Sequence, residues 1–187
     1  MSVKIKEVDR FISIYKHPVI SLSVCSDWID EALQFDKHIA AQKQIAWLSG
    51  WYGARRLAKR AFATYFDLQT QFEEKHLDWD AEKPRTDFTL TNGKLECDVN
   101  LSCIPIKDWN PKLGRSFEAK IYKITKKLSR PLIHVFATWS CPNITLIGWL
   151  PNSPMNDMGK VEVKESDVKP IYEHPVLSNL DNKGMYI

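Results

Sequence analysis

The sequence predicts an α/β domain with a mixed central β-sheet flanked by helices, and three features carry that prediction. Residues 42–66 and 116–130 have helical periodicity. Between them residues 84–102, PRTDFTLTNGKLECDVNLS, alternate apolar and polar side chains around Asn92-Gly93. After them come two apolar runs, 132–139 and 144–150, short enough for central strands and parted by Ser140-Cys141-Pro142-Asn143. At 187 residues the chain is most simply a single domain, 1–187.

In chain order, residues 4–16 read as a short helix, and Val19 to Val24 alternate like a strand. Ser26 or Asp27 suits the N-cap of a helix beginning at Trp28, with Glu31 in its first turn. Over 42–66, Trp47, Trp51, Ala54, Ala58, Ala61 and Tyr65 share one apolar arc, while Arg55, Arg56, Lys59 and Arg60 lie opposite. Gly50 and Gly53 inside that pattern each cost about 1 kcal/mol relative to alanine, which suggests close packing there. Residues 68–80 are polar and mixed, with an edge strand expected around 71–79. Beyond the Asn92-Gly93 stretch, Pro105, Pro111 and Gly114 mark a loop. Then Phe117, Ile121, Ile124 and Leu128 form the stripe of a second amphipathic helix, with Lys120, Lys123, Lys126, Lys127 and Arg130 on its other faces. Pro131 ends it. After Leu150 the chain reads as loop, one short strand at 160–164 and a surface tail.

The stretch around Asn92-Gly93 has the most chemical content. Asn-Gly flanked by alternating apolar residues is the strongest short hairpin signal, because both turn positions take positive φ. With a two-residue loop, Asp87 faces Asp98 and Thr89 faces Glu96. Alternation puts Phe88, Leu90, Leu95, Cys97, Val99 and Leu101 on a core face, and Asp87, Thr89, Glu96, Asp98 and Asn100 on the other. Like charges directly opposed on a sheet are destabilising and call for a counter-charge. A divalent cation such as Mg²⁺ is one compact solution. A half-buried hairpin with a wet polar face, neutralised by Lys94 and Arg85, is the other.

Composition narrows the class. Apolar content of 44% and charged content of 26% are ordinary for a globular chain. A formal charge of +3 permits a polyanionic partner without demanding one. Cys25, Cys97, Cys103 and Cys141 form no CxxC pair and match no zinc spacing. There is no secretory signal pattern at the start and no apolar run of membrane-spanning length, so a reduced, cytoplasmic setting is expected. Seven tryptophans suit half-polar interfaces or base stacking.

The order helix, acidic hairpin, helix, two apolar strands, with Asp87 after Pro84 and Asp98-Val99-Asn100 on the next strand, resembles the PD-(D/E)XK nuclease superfamily. The likeness spans about residues 43–172, leaving an N-terminal extension and a C-terminal tail. It implies a restriction-endonuclease-like fold and Mg²⁺- or Mn²⁺-dependent hydrolysis of DNA. Asp87 and Asp98 would bind the metal with the Val99 carbonyl, Glu96 would assist, and Asn100 would position water. The family's lysine is replaced by Asn100, so Lys120 or Lys123 from the adjoining helix would substitute. The acid that relatives carry on the first helix would fall near Arg55 and is absent. Arg55, Arg56, Lys59, Lys120, Lys123 and Lys127 would grip phosphates; for the first helix a solvated basic face explains the same pattern. Glu162-Val163-Lys164 is a literal E-x-K, but it lies near the C-terminus with no helix and strand pair after it. The two departures open a second reading, a catalytically inactive nuclease-fold protein that binds DNA or a protein partner. A homodimer joined through the Trp-rich helix is a third.

Overall fold

A computed structural model describes residues 19–43, 51–80, 86–106, 119–120, 130–151, 160–161 and 168–178. Strand β1 (Ile20–Ser23) leads into helices α1 (Ser26–Gln42), α2 (Trp51–Tyr65) and α3 (Gln69–His76). Strands β2 (Phe88–Thr91), β3 (Glu96–Pro105), β4 (Ala119–Lys120), β5 (Leu132–Ser140), β6 (Asn143–Pro151) and β7 (Lys160–Val161) follow, then a 3₁₀ turn at Ile171–Glu173. The main sheet has five strands in the order β1-β6-β5-β3-β2, and β4 pairs with β7. Only β3 and β5 run parallel; the other pairs are antiparallel, so the α/β sheet is mixed as expected.

Helix α2 covers one face of that sheet. Its small residues Ala54, Ala58 and Ala61 are buried and let the helix lie close over Val99, Leu101, Val135 and Leu146. Phe62 is fully buried between Phe66 and Phe88, with ring centroids 4.6 and 5.2 Å away. Burial of one such ring contributes about 2–3 kcal/mol. Helix α1 then packs on α2 at Gly53, where an added Cβ would lie 2.6 Å from both the Ala32 carbonyl oxygen and Asp36 Oδ2. The Gly53 N–H, in the first turn of α2, donates to Asp36 Oδ1 at 2.8 Å. A carboxylate there satisfies a backbone donor that the helix itself leaves unpaired and complements the helix dipole. Burial still pushes the Asp36 carboxyl above its usual range, against the lowering effect of the Gly53 and Tyr52 backbone bonds.

Six expectations are corrected. The hairpin register is Phe88 opposite Val99 and Thr89 opposite Asp98, so the residue facing Asp98 is Thr89 and not Asp87. The cause is local: Asn92 Oδ1 accepts the Lys94 and Leu95 N–H groups at 3.0 and 2.8 Å, which widens the turn to Asn92–Leu95. Gly93 supplies the one positive φ there, 83°. Leu95, expected in the core, sits in this turn and is exposed. The slip is by two positions, so Phe88, Leu90, Cys97, Val99 and Leu101 keep the core face.

The polar stretch after Leu68 forms helix α3, not an edge strand. Phe72 and His76, one turn apart, are its buried stripe. Residues 119–120, inside the expected second helix, form β4, where antiparallel pairing with Val161 and Lys160 replaces helical geometry. The rest of that stretch up to residue 129 lies outside the described residues, as do residues 4–16, Trp47, Gly50, Arg85 and Glu162-Val163-Lys164. Residues 168–178 are not a surface tail: Val168, Ile171, Val176 and Leu177 are buried, and residues 179–187 lie outside the described residues. Trp149 and Lys169 exchange backbone bonds at 2.8 and 3.0 Å, fastening that segment to β6. Helix α1 also starts at Ser26, with Cys25 as its N-cap.

Candidate functional site

The acids of the hairpin meet α2 and α3 at the edge of the sheet. Strand β2 has four residues and β3 has ten, so β2 runs out while β3 continues. The Asp87 N–H still donates to the Val99 carbonyl at 2.8 Å. One step further along β3 the Leu101 N–H has no carbonyl to meet, and Asp87 Oδ2 accepts it at 2.7 Å. The carboxylate thus stands in for the next ladder carbonyl. Its other oxygen, Oδ1, is 2.6 Å from Lys59 Nζ, which reaches down from α2. His76 Nε2 lies 3.2 Å from the Asp87 carbonyl oxygen and 3.8 Å from Oδ1.

Asp98 belongs to a different environment. It is buried, and its Oδ1 accepts a hydrogen bond from Thr89 Oγ1 at 2.9 Å. Gln71 of α3 holds the outside of β2, donating to the Thr89 carbonyl at 2.7 Å and accepting the Thr89 N–H at 2.8 Å. A side-chain amide here makes the two bonds that a neighbouring strand would make, and so blunts the sheet edge. Asn100 is half-buried beside His134 in the parallel pairing of β3 with β5. Glu96 is exposed and paired with Arg130 at 2.6 Å.

These positions do not fit a divalent ion in the arrangement observed. Both oxygens of Asp87 are engaged, Oδ2 by the Leu101 N–H and Oδ1 by Lys59 of α2. The Val99 carbonyl accepts a ladder bond from Asp87. Among the described residues no group of three or more His, Cys, Asp or Glu side chains could hold a metal. The counter-charge that the hairpin requires is the Lys59 ammonium.

The basic arc of α2 also has a different use from the one its wheel suggested. Arg56 is buried: Nε and Nη2 donate to Glu31 Oε1 of α1 at 3.0 and 2.6 Å, and Nη1 donates to the His76 carbonyl. Arg60 donates to Glu31 Oε2. Neither Arg56 nor Lys59 projects freely into solvent, because Glu31 of α1 and the His76 carbonyl of α3 engage Arg56 and Asp87 of the hairpin engages Lys59. Arg55 is half-buried, and its Nε is buried without a hydrogen-bond partner. Lys120 lies on β4 opposite Lys160. Lys123 and Lys127 lie outside the described residues.

Sequence reasoning missed Gln71, His76 and the role of Lys59. Only the helical spacing of Phe72 and His76 pointed to the second of these. Burial, reinforced by the nearby Lys59 charge, lowers the His76 imidazole from 6.5 to about 4 although Asp87 acts the other way. His76 is therefore neutral in the folded protein near neutral pH, while in the unfolded chain it titrates at its ordinary value. Unfolded chains bind the extra proton between those two pKa values, so the stabilising contribution is complete above pH 6.5 and is lost as pH falls toward 4. The loss totals about 3 kcal/mol. Urea melts of wild type and His76→Gln across that window should show it as an additional loss of stability toward acid in the wild type.

No family model, no curated protein and no solved structure matches this chain. Its class is the one its elements define: a mixed α/β protein with a five-stranded sheet backed by helices. No helix among the described residues is long and apolar enough to cross a membrane.

Proposed function

We propose that this chain is a restriction-endonuclease-like protein that binds DNA without cutting it, an ion pair having taken the place of a catalytic metal. The observation that carries the reading is the 2.6 Å contact between Lys59 and Asp87. In a metal-dependent hydrolase the clustered carboxylates hold an ion that activates water and neutralises charge on the phosphate. Here an ammonium from α2 neutralises the first acid, a hydroxyl occupies the second, and Asn100 brings no charge to the position of the family's lysine. The order α2, acidic hairpin, then crossover from β3 to a parallel β5 supports the fold assignment.

Support for DNA as the ligand is electrostatic. The chain carries a formal charge of +3. Arg56, Lys59 and Arg60 are already spent on Glu31 and Asp87, which leaves Arg55, Lys120, Lys123 and Lys127 as the phosphate contacts. Each phosphate contact adds about 0.9 to the slope of log affinity against log salt on duplex DNA. Titration of a labelled duplex at several salt concentrations should give a clearly negative slope. Joint replacement of Lys120, Lys123 and Lys127 by alanine should flatten it by about 2–3. Incubation with Mg²⁺ or Mn²⁺ should leave both duplex and single strands intact. Cleavage that disappears in Asp98→Ala would return the site to metal-dependent hydrolysis, and affinity that does not respond to salt would remove DNA as the ligand.

A further inference from the structure

Strand β6 has nine residues, and β5 pairs along the whole of one edge. On the other edge β1 reaches only from Asn143 to Leu146. Beyond β1 that edge is taken by residues 168–178. Trp149 and Lys169 exchange backbone bonds there, and Trp149 Nε1 donates to the Pro170 carbonyl at 3.0 Å. Gly148 makes the approach possible, since an added Cβ would collide with the Lys169 carbonyl and the Val168 side chain. A second fastening comes from the hairpin turn, where Asn92 Nδ2 donates to the Pro175 carbonyl at 3.3 Å.

His174 organises this strap. Its N–H donates to the Ile171 carbonyl at 3.2 Å, and its carbonyl accepts the Ser178 N–H at 2.9 Å. The imidazole is buried and stands perpendicular to the Trp149 ring, with centroids 4.5 Å apart. Its Nδ1 accepts the Val176 N–H at 3.3 Å. That bond fixes the neutral tautomer, because Nδ1 keeps its lone pair and Nε2 carries the proton. A further proton can therefore go only to Nδ1. There it would meet the Val176 N–H donor against donor, and the bond that closes the turn from His174 to Val176 would be lost.

We propose that His174 is a proton-operated latch: protonation at Nδ1 detaches residues 168–178 from β6 and opens the strand edge at Trp149. The vacated edge presents the Trp149 N–H and carbonyl, the kind of groups by which a strand adds to a sheet. The proton is taken from solvent, and its loss restores the Val176 bond and the strap.

The surroundings of His174 set the direction. Burial holds its imidazole below the ordinary 6.5, and no carboxylate among the described residues pairs with it to oppose that. On the strap itself Lys169 Nζ lies 5.2 Å from the Trp149 ring centroid, and Glu173 is exposed. From β6 the group in contact is Trp149, and from the hairpin turn the strap meets Asn92, both uncharged. Detachment returns His174 to water and to its ordinary value, so the detached strap binds the proton more tightly than the fastened one. The latch is therefore fully closed above pH 6.5 and weakens as pH falls below it.

Hydrogen exchange of the full-length protein tests the latch, followed by mass spectrometry from about pH 7.5 to about pH 5 with labelling times scaled to the intrinsic rate. Peptides covering residues 168–178 should lose protection below pH 6.5, by up to about tenfold per pH unit and in excess of any loss in α2. In His174→Gln, which takes up no proton, protection of the strap should not depend on pH. Nitrogen-15 spectra of the wild type need no variant: His174 Nδ1 should be the unprotonated nitrogen at neutral pH and gain its proton as the strap signals shift. Strap protection that does not change with pH, or that falls only in parallel with α2, would overturn the proposal. So would a pH response retained in His174→Gln, or an Nδ1 that already carries the proton at neutral pH.

Discussion

Asp87→Ala should lower the unfolding free energy by about 3 kcal/mol, read as a reduced urea midpoint at unchanged slope. The substitution leaves the Lys59 ammonium without its partner in a site where the two side chains are only 18% and 12% exposed. It also strips the acceptor from the Leu101 N–H, a buried donor that β2 is too short to satisfy. Orphaning such a group costs about 1–3 kcal/mol by itself. Adding Lys59→Met to Asp87→Ala should recover about 1–2 kcal/mol, because the stranded charge is then gone. The sign separates the two readings of the hairpin. If Asp87 and Asp98 were clustered acids awaiting a cation, removing one would relieve like-charge repulsion and stabilise the metal-free protein. Destabilisation, partly rescued by removing Lys59, is the outcome that the ion pair requires.

Arg56→Ala should cost about 3–4 kcal/mol, and Arg56→Lys about 2. Arg56 is the hub of the three helices. Its guanidinium takes Glu31 from α1 and the His76 carbonyl from the end of α3, and its carbon lies 5.1 and 5.4 Å from the Phe35 and Phe72 ring centroids. Lysine cannot reproduce the planar fork that serves both acceptors or the stacking against rings. Thermal melts measure the loss, and a salt titration of DNA binding on the folded Arg56→Lys protein supplies the contrast. A phosphate-gripping arginine would flatten the salt dependence and leave stability almost untouched; the packing observed predicts the reverse.

Much of the sheet was readable from local pattern. Phe88, Leu90, Cys97, Val99 and Leu101 are buried as their alternation required, and the apolar runs became the paired strands β5 and β6. Ala54, Ala58 and Ala61 face the core, and the glycine at 53 marks a close helix approach. The misreadings have a common cause. The hairpin slipped by two because the Asn92 side chain took two backbone donors, a contact that a turn signature does not reveal. Residues 119–120 joined a strand because a distant segment offered a ladder. Helix α3 owes its place to Phe72 and His76 reaching the core, and its Gln71 then serves the edge strand.

The sequence by itself determined which faces of the hairpin, of β5 and β6 and of α2 are apolar, and it marked the two acids as residues needing a counter-charge. Period and alternation belong to a single segment, and burial of an apolar face follows from them wherever that segment packs. Only the tertiary structure decided what the counter-charge is. An ammonium and a metal ion answer the same electrostatic demand, and the choice between them depends on which side chain from elsewhere in the chain arrives first at the carboxylate. Lys59 arrives from α2 because α2 crosses the sheet where β2 ends, and Glu31 holds Arg56 and Arg60 because α1 lies beside α2. Those meetings join segments remote in sequence, and no local pattern encodes them.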